Sequence, residues 1–155
     1  MTDRGDNECY IVDYCRSAFS KANPRDPTKD SFGELRGDQI LALVLQHMFN
    51  ERLKGKVDPG EVDEMSVGAA LQVYENWLDG GRNPWFLAGF PTDVPCIGTE
   101  KECGSSMAGM HYNIMQIWTG YADITLSGGF EHMTRVAMDP AYNKHFNPPL
   151  VMLQK

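Results

Sequence analysis

Hydrophobic residues recur along this chain at two spacings, one typical of helices and one typical of strands. Between Asp38 and Gly55 they follow the i, i+3, i+4 spacing that places side chains on one face of a helix. The residues of this stripe are Ile40, Leu41, Val44, Leu45, Met48 and Phe49. Asp38 is a suitable N-cap residue and Gly55 a suitable stop, so the pattern predicts an amphipathic helix between them.

Four shorter apolar runs have the length and composition of strands. They cover residues 9–14, 62–70, 95–99 and 122–129. Two more helices are predicted, a short one over 84–88 with proline at its first position and a longer one over 104–120. The longer helix is apolar on almost every side, which is typical of a buried helix. This alternation of strands and helices predicts an α/β protein with a mixed or mostly parallel sheet.

Composition and charge narrow the class of protein. The chain has 155 residues, of which 42% are hydrophobic and 23% charged, as expected for one globular domain. Its 14 basic and 21 acidic residues give a net charge of -7, which argues against a nucleic-acid-binding protein. No apolar run approaches the roughly 18 residues that span a membrane, and the first residues lack the apolar core of a signal peptide. We therefore expect a cytoplasmic location and no membrane association.

The cysteines are the strongest candidates for chemistry. None of the four forms a C-x-x-C pair, and no histidine pair has zinc-finger spacing, so no metal site is expected. Cys103 stands where a predicted strand meets the helix over 104–120, and the small residues Gly104, Ser105 and Ser106 follow it. The positive end of a helix and its free backbone N–H groups stabilise a thiolate and an oxyanion. A reactive cysteine and a buried structural cysteine are both compatible with this position.

Several common catalytic signatures are absent from the sequence. It contains no G-x-G-x-x-G run, no P-loop and no G-x-S-x-G nucleophile elbow. Dinucleotide-binding, P-loop nucleotide-binding and α/β-hydrolase chemistry therefore have no sequence support.

Five segments resemble the thiolase family, and they occur in that family's order. They are residues 11–21 (IVDYCRSAFSK), 61–68 (EVDEMSVG), 82–95 (RNPWFLAGFPTDVP), 102–110 (ECGSSMAGM) and 122–134 (ADITLSGGFEHMT). The fourth resembles the nucleophile motif C-G-S-G-x-x-A and the fifth resembles A-D-x-x-x-x-G-G-x-E-x-M-S. The resemblance extends over about residues 10–135 and implies an N-terminal thiolase-like domain at 1–135. Residues 136–155 are then the start of the loop domain or a disordered tail.

The resemblance implies a fold and a mechanism. The complete enzymes have a five-layered α-β-α-β-α fold, of which this chain would be the N-terminal half. Cys103 would be the nucleophile that takes an acyl group from a coenzyme A thioester, with its backbone N–H helping to bind the oxyanion. Gly104, Ser105, Ser106 and His132 would border the substrate. Coenzyme A would be substrate or product, and no cofactor would be permanently bound.

Three positions depart from the family pattern. Glu100 replaces the usual Asn three residues before the nucleophile, and a carboxylate close to Cys103 would disfavour the thiolate. The segment between Pro84 and Ala88 is shorter than usual and contains Trp85 and Phe86. His132 stands where the family usually has Ser.

The family's remaining catalytic motifs, G-H-P, C-x-G and N-E-A-F, do not occur in this sequence. The resemblance therefore implies a split, cleaved or incompletely represented enzyme whose acid and base residues come from another segment or chain. The implied partners are the C-terminal thiolase half and a second subunit, in a homodimer or tetramer. A small OB-fold zinc protein, which accompanies some thiolase-like enzymes, is a further candidate partner.

Two alternative functions are kept. The first is a related condensing enzyme of the ketoacyl synthase or hydroxymethylglutaryl-CoA synthase type, although the G-G-x-E-x-M segment fits thiolases better. The second is a non-catalytic thiolase-like scaffold subunit, and the presence of Cys103, Gly104 and Ser105 argues against it.

Overall fold

A small parallel sheet organises the chain. The computed structural model describes residues 8–77, 79, 81–139 and 141–143. The strands are β1 (Glu64–Gly68), β2 (Cys96–Thr99) and β3 (Thr125–Gly129), and the α-helices are α1 (Gly37–His47), α2 (Arg82–Leu87) and α3 (Ser105–Trp118). A π-helical turn, Met48–Arg52, continues α1, and short 3-10 turns cover Pro27–Lys29, Pro59–Glu61 and Tyr74–Asn76.

The strand order is β2-β1-β3, and both pairs of neighbours are parallel. Gly68 at the end of β1 lies opposite Thr99 of β2 and Gly129 of β3, so the three carboxyl ends meet at one edge. The connections β1-α2-β2 and β2-α3-β3 each return the chain across the sheet through a helix. The predicted α/β class is confirmed, and the three described strands are all parallel, within the predicted choice of a mixed or mostly parallel sheet.

One face of the sheet, here called the apolar face, packs against α1 and α2. Side chains alternate along a strand, and Met65 and Val67 of β1 point to this side, where both are fully buried. Trp85 of α2 is also fully buried and makes edge-to-face contacts with Phe49 and Phe90, with ring centroids 5.9 and 4.9 Å away. The indole N–H of Trp85 donates to the carbonyl oxygen of Pro91 at 2.7 Å.

The opposite face, here called the polar face, packs against α3 through small and polar residues. The buried residues of α3 are Ser105, Gly109, Asn113 and Gln116. Asn113 Nδ2 donates to the Leu126 carbonyl at 2.9 Å, and Gln116 Nε2 donates to the Glu64 carboxylate at 2.6 Å. This chain buries only one side of α3, because the large side chains Met107, Met115 and Trp118 point away from the sheet and are exposed.

Helix α1 is confirmed, with a different start. Arg36 is the N-cap residue, and its backbone N–H donates to Gln39 Oε1 at 2.9 Å. Asp38 lies inside the first turn, where its buried carboxylate accepts from the Arg36 guanidinium and the Gln39 N–H. The predicted stop at Gly55 follows the π-helical turn, and its φ of 68° lies in the left-handed region that glycine adopts without strain.

The strand predicted over residues 9–14 is wrong. This segment has no strand pairing, and Tyr10, Ile11 and Val12 are mostly exposed. Side chains hold it beside α1 instead, since Arg52 donates to the Asp13 carboxylate and Cys15 Sγ lies 3.7 Å from the Val44 carbonyl oxygen. Its apolar composition does not lead to pairing with the sheet.

The segment after β3 packs back on the domain. Val136, Ala137 and Asn143 are buried, and Asn143 Nδ2 donates to the Ala137 carbonyl at 2.8 Å. Residues 136–139 and 141–143 are thus the described part of the tail predicted for 136–155. Residues 1–7 and 144–155 lie outside the described residues.

Candidate active site

Cys103 lies on the turn between β2 and α3, and the structure exposes it. This position excludes a buried structural cysteine. Glu102, immediately before it, has a φ of 49°, a left-handed conformation that is costly for a residue with a side chain. Ser105 braces the turn, because its hydroxyl accepts from the Lys101 N–H at 2.8 Å and donates to the Glu102 carbonyl at 2.6 Å. The cysteine therefore stands on a tight, internally bonded turn.

Two glycines bring the start of α3 onto the sheet edge. A Cβ on Gly68 would lie 2.6 Å from the Ser105 carbonyl carbon, and a Cβ on Gly129 would overlap the Ser106 hydroxyl. Thr99 Oγ1 also donates to the Ser105 carbonyl at 3.0 Å. The N-terminus of α3 thus rests on the carboxyl ends of all three strands, the edge at which parallel α/β sheets form ligand sites.

The predicted substrate-binding residues near Cys103 differ in how far they are exposed. Gly104 is the N-cap residue of α3, and its N–H donates to the Lys101 carbonyl at 3.0 Å. Ser105 is buried with its hydroxyl occupied in the turn, whereas Ser106 is exposed in the first helical turn. Only Cys103 and Ser106 of this group are exposed to an incoming molecule.

His132 is part of a different polar cluster. It is buried, and its Nε2 lies 3.0 Å from the Phe32 carbonyl oxygen and 3.9 Å from an Asp30 carboxylate oxygen. Burial opposes the charge of Asp30, but hydrogen bonds from Ser20, Thr134 and the Phe32 N–H outweigh it and lower the pKa of Asp30. The bonds of His132 thus connect the chain after β3 to the 30–33 loop.

Two carboxylates that follow strands bind the segment after β1. Glu100 Oε2 accepts from the Gln72 N–H at 3.0 Å, so this replacement for the family's Asn is bonded to backbone. Glu131 accepts from the Ala70 N–H at 2.7 Å and from Asn76 Nδ2 at 2.8 Å. The sequence analysis did not predict that Glu131 and Asn76 are hydrogen-bonded to each other. The only sequence signal was that Glu131 is the glutamate of the G-G-x-E-x-M segment.

Two of the other described cysteines, Cys15 and Cys96, are more buried than Cys103. Burial raises the pKa of the Cys96 thiol to about 11 and also raises the pKa of Cys15. Both therefore remain protonated thiols at neutral pH.

Among the described residues, no group of three or more His, Cys, Asp or Glu side chains is arranged to hold a metal ion. None of the helices described is long and apolar enough to cross a membrane.

Comparisons with known proteins connect this geometry to a family. The sequence model of the thiolase N-terminal domain matches residues 9–150. A 3-ketoacyl-CoA thiolase of Psychrobacter arcticus is 33% identical over 153 residues, and one of Chromohalobacter salexigens is 30% identical over 152. Each alignment covers 94% of this chain and 37% of the relative, so the chain spans about a third of their length.

The fold agrees with this match. The crystal structure of the Bacillus anthracis acetyl-CoA acetyltransferase superposes with a TM-score of 0.56 at 25% sequence identity, covering 68% of this chain and 26% of that one. The resemblance seen in the five sequence segments is confirmed. The chain belongs to the thiolase family and corresponds to its N-terminal domain.

Proposed function

We propose that this chain is the nucleophile-bearing part of a thiolase-type acyl-CoA acyltransferase, with Cys103 as the residue that carries the acyl group. The observation that supports this most directly is the exposed Cys103 on the β2–α3 turn, at the carboxyl edge of the sheet. The names of the relatives, 3-ketoacyl-CoA thiolase and acetyl-CoA acetyltransferase, give the substrate class.

The proposed reaction has two steps. The Cys103 thiolate attacks the C3 carbonyl of a 3-ketoacyl-CoA, the Sγ–C3 bond forms, and the C2–C3 bond breaks. The bond's electron pair leaves with acetyl-CoA, which takes up a proton at C2. The thiolate of a second coenzyme A then attacks the acyl group on Cys103, releases a shortened acyl-CoA and regenerates the cysteine. The reverse sequence forms a 3-ketoacyl-CoA.

Residues of this chain contribute positioning and charge stabilisation in this proposal. The N-terminus of α3 directs backbone N–H groups and the positive end of the helix dipole toward the Cys103 turn. The groups that move protons to and from coenzyme A and C2 belong to segments outside residues 1–155. Their source is a C-terminal thiolase half, and a second subunit completes the oligomer.

The exposed apolar residues support the need for such partners. Met107 and Met115 on the outer side of α3 are more than half exposed, and β2 is an edge strand of the sheet. Exposed apolar side chains and open strand edges are normally covered in stable proteins. The relatives' additional length is consistent with a further domain that covers them.

Trapping the acyl-enzyme tests the proposal. The chain is incubated with a radiolabelled 3-ketoacyl-CoA, denatured in acid and mapped by mass spectrometry. We expect the acyl mass on the peptide that contains Cys103 and no adduct in Cys103→Ala. Cys96→Ala is the matched control and should acylate normally. Acylation that persists in Cys103→Ala would exclude Cys103 as the nucleophile.

A turnover experiment tests the missing acid and base. General acid–base assistance contributes about 10²–10⁴-fold to such reactions. Residues 1–155 alone should therefore acylate at most once per chain and then stop. Continuous release of acyl-CoA by the purified chain would contradict the proposal that proton transfer depends on other segments.

A further inference from the structure

We propose that Glu100 and Glu131 act as paired positioning residues, holding the segment 69–76 against the Cys103 edge of the sheet through hydrogen bonds to its backbone and to Asn76. This inference rests on the function proposed above. It assigns to Glu100, which departs from the family pattern, and to Glu131 a shared task that neither sequence position indicates.

The segment begins at the edge where the site lies. Gly68, the last residue of β1, packs against the first turn of α3, and Ala69 N–H donates to the Thr99 carbonyl at 3.3 Å. The chain then leaves the sheet beside the Cys103 turn. Its conformation therefore affects the shape of the surface that an acyl group would meet.

The two carboxylates reach this segment from opposite sides. Glu100 follows β2, on one side of the central strand, and bonds the Gln72 N–H. Glu131 follows β3, on the other side, and bonds both the Ala70 N–H and Asn76 Nδ2. Carboxylates form strong hydrogen bonds with N–H donors, so the pair fixes the segment near both of its ends.

Asn76 gives the arrangement a feature that can be tested. It is fully buried, and its Oδ1 has no hydrogen-bond partner while its Nδ2 donates to Glu131. In Glu131→Gln, the new amide oxygen can accept from Ala70 N–H. If the Asn76 amide also rotates, its Oδ1 can accept from the new glutamine Nε2. Asn76 Nδ2 is then the buried atom without a partner, in place of Oδ1 in the original chain.

The role therefore depends on hydrogen-bond geometry and does not require a negative charge. Desolvation raises the pKa of Glu131, and the nearby charge of Glu100 adds to this effect. Placing two carboxylates close together costs free energy, which the bonds to the segment offset. A neutral glutamine should thus retain much of the positioning that glutamate provides, through weaker hydrogen bonds.

The experiment compares Glu131→Ala, Glu131→Gln and Glu100→Ala with the original chain. Glu34→Ala, at an exposed residue, is the matched control for loss of one negative charge. Amide hydrogen exchange by NMR reports on Ala70 and Gln72, and the rate of acylation of Cys103 reports on the site. Urea unfolding verifies that each variant is folded.

We expect exchange of the Ala70 amide to rise about 10- to 100-fold in Glu131→Ala, the range for losing a hydrogen bond to a charged group. Acylation should fall about tenfold, because small misplacements near a reacting group have effects of this size or larger. Glu34→Ala should stay within about twofold of the original chain in both measurements, and Glu131→Gln should change less than Glu131→Ala because it keeps an acceptor for the Ala70 N–H. Glu100→Ala should show the same changes at Gln72, and it replaces Glu131→Ala if that variant does not fold.

Unchanged exchange at Ala70 and Gln72 would overturn the proposal, as would faster exchange with normal acylation. A Glu131→Gln chain as impaired as Glu131→Ala would show that charge is required and would also overturn it. If the original chain forms no acyl adduct, the proposed function fails separately. The alkylation rate of Cys103 by iodoacetamide then replaces acylation as the readout of the site.

Discussion

The two faces of the sheet are packed by different kinds of side chain. The apolar face is closed by large side chains, among them Leu41, Leu45 and the edge-to-face group of Phe49, Trp85 and Phe90. The polar face is closed by glycine, serine and amide side chains that let α3 approach the strands closely. The large apolar residues of α3 point away from the sheet.

The apolar face therefore contributes mainly to stability, and the polar face mainly positions the candidate site. Burial of apolar area on the apolar face supplies most of the driving force for folding. On the polar face, Gly68, Gly109 and Gly129 allow close contact, which places the start of α3 and the Cys103 turn at the ends of the strands. We therefore expect mutations on the apolar face to act through lost burial and mutations on the polar face to act through steric overlap.

The largest expected effect is on the apolar face. Trp85→Ala should lower the free energy of unfolding by about 3–5 kcal/mol, because it removes a fully buried ring and leaves a cavity. Trp118→Ala is the matched control on α3, where the ring is half exposed, and should cost less than about 1 kcal/mol. Urea unfolding measures both. Equal losses would mean that the two faces do not differ as described.

On the polar face, a glycine-to-alanine substitution in a helix, which is ordinarily stabilising, is expected to destabilise the chain by an intermediate amount. Gly→Ala inside a helix ordinarily stabilises by about 1 kcal/mol. In Gly109→Ala, however, the new Cβ would lie 2.7 Å from Ser66 Oγ and 3.0 Å from Ser66 Cβ. We expect a net loss of about 1–3 kcal/mol in the free energy of unfolding. Ser66→Ala in the same chain should recover part of it, and a stabilised Gly109→Ala would contradict the close packing.

The smallest expected effect is a difference in pH dependence between two carboxylates. The pKa of Asp30 is lowered in the folded chain, so its stabilising contribution is complete above its ordinary value of about 3.9 and disappears as the pH falls through the lower folded value. The pKa of Glu131 is raised, so its ionisation reduces stability as the pH rises above its ordinary value of about 4.3 and through the raised folded value.

Urea midpoints measured from about pH 3 to 7 separate these contributions. Asp30→Asn should reduce the loss of stability in acid, and Glu131→Gln should reduce the loss between about pH 4.3 and neutrality. Identical pH profiles for the original chain and both variants would show that neither carboxylate has the described surroundings.

Local sequence patterns predicted the helix and the strands that have a distinctive hydrophobic spacing. Helix α1 followed from its apolar stripe, and β1, β2 and β3 lie inside the predicted runs. The segment at 9–14 has the same apolar character as these strands, but composition does not specify a pairing partner, and Asp13 and Cys15 hold it beside α1. The error arose because strand formation depends on neighbours that are distant in sequence.

The candidate site was predictable only in part. Cys103 and the small residues after it are adjacent in sequence, so their position at a strand–helix junction could be inferred. The orientation of α3 could not, because hydrophobicity does not reveal that glycine and amide residues face the sheet. The bonds of Glu131 to Ala70 and of His132 to Phe32 join residues 61 and 100 positions apart, which no local pattern encodes.

Brief alkylation tests the central claim that Cys103 is the reactive thiol at the open edge of the sheet. The folded chain is treated with iodoacetamide at neutral pH, quenched after short times and mapped by mass spectrometry. Cys103 is exposed, whereas burial keeps Cys15 and Cys96 protonated, so the Cys103 peptide should be labelled first. Labelling of Cys9, Cys15 or Cys96 ahead of Cys103 would contradict the account.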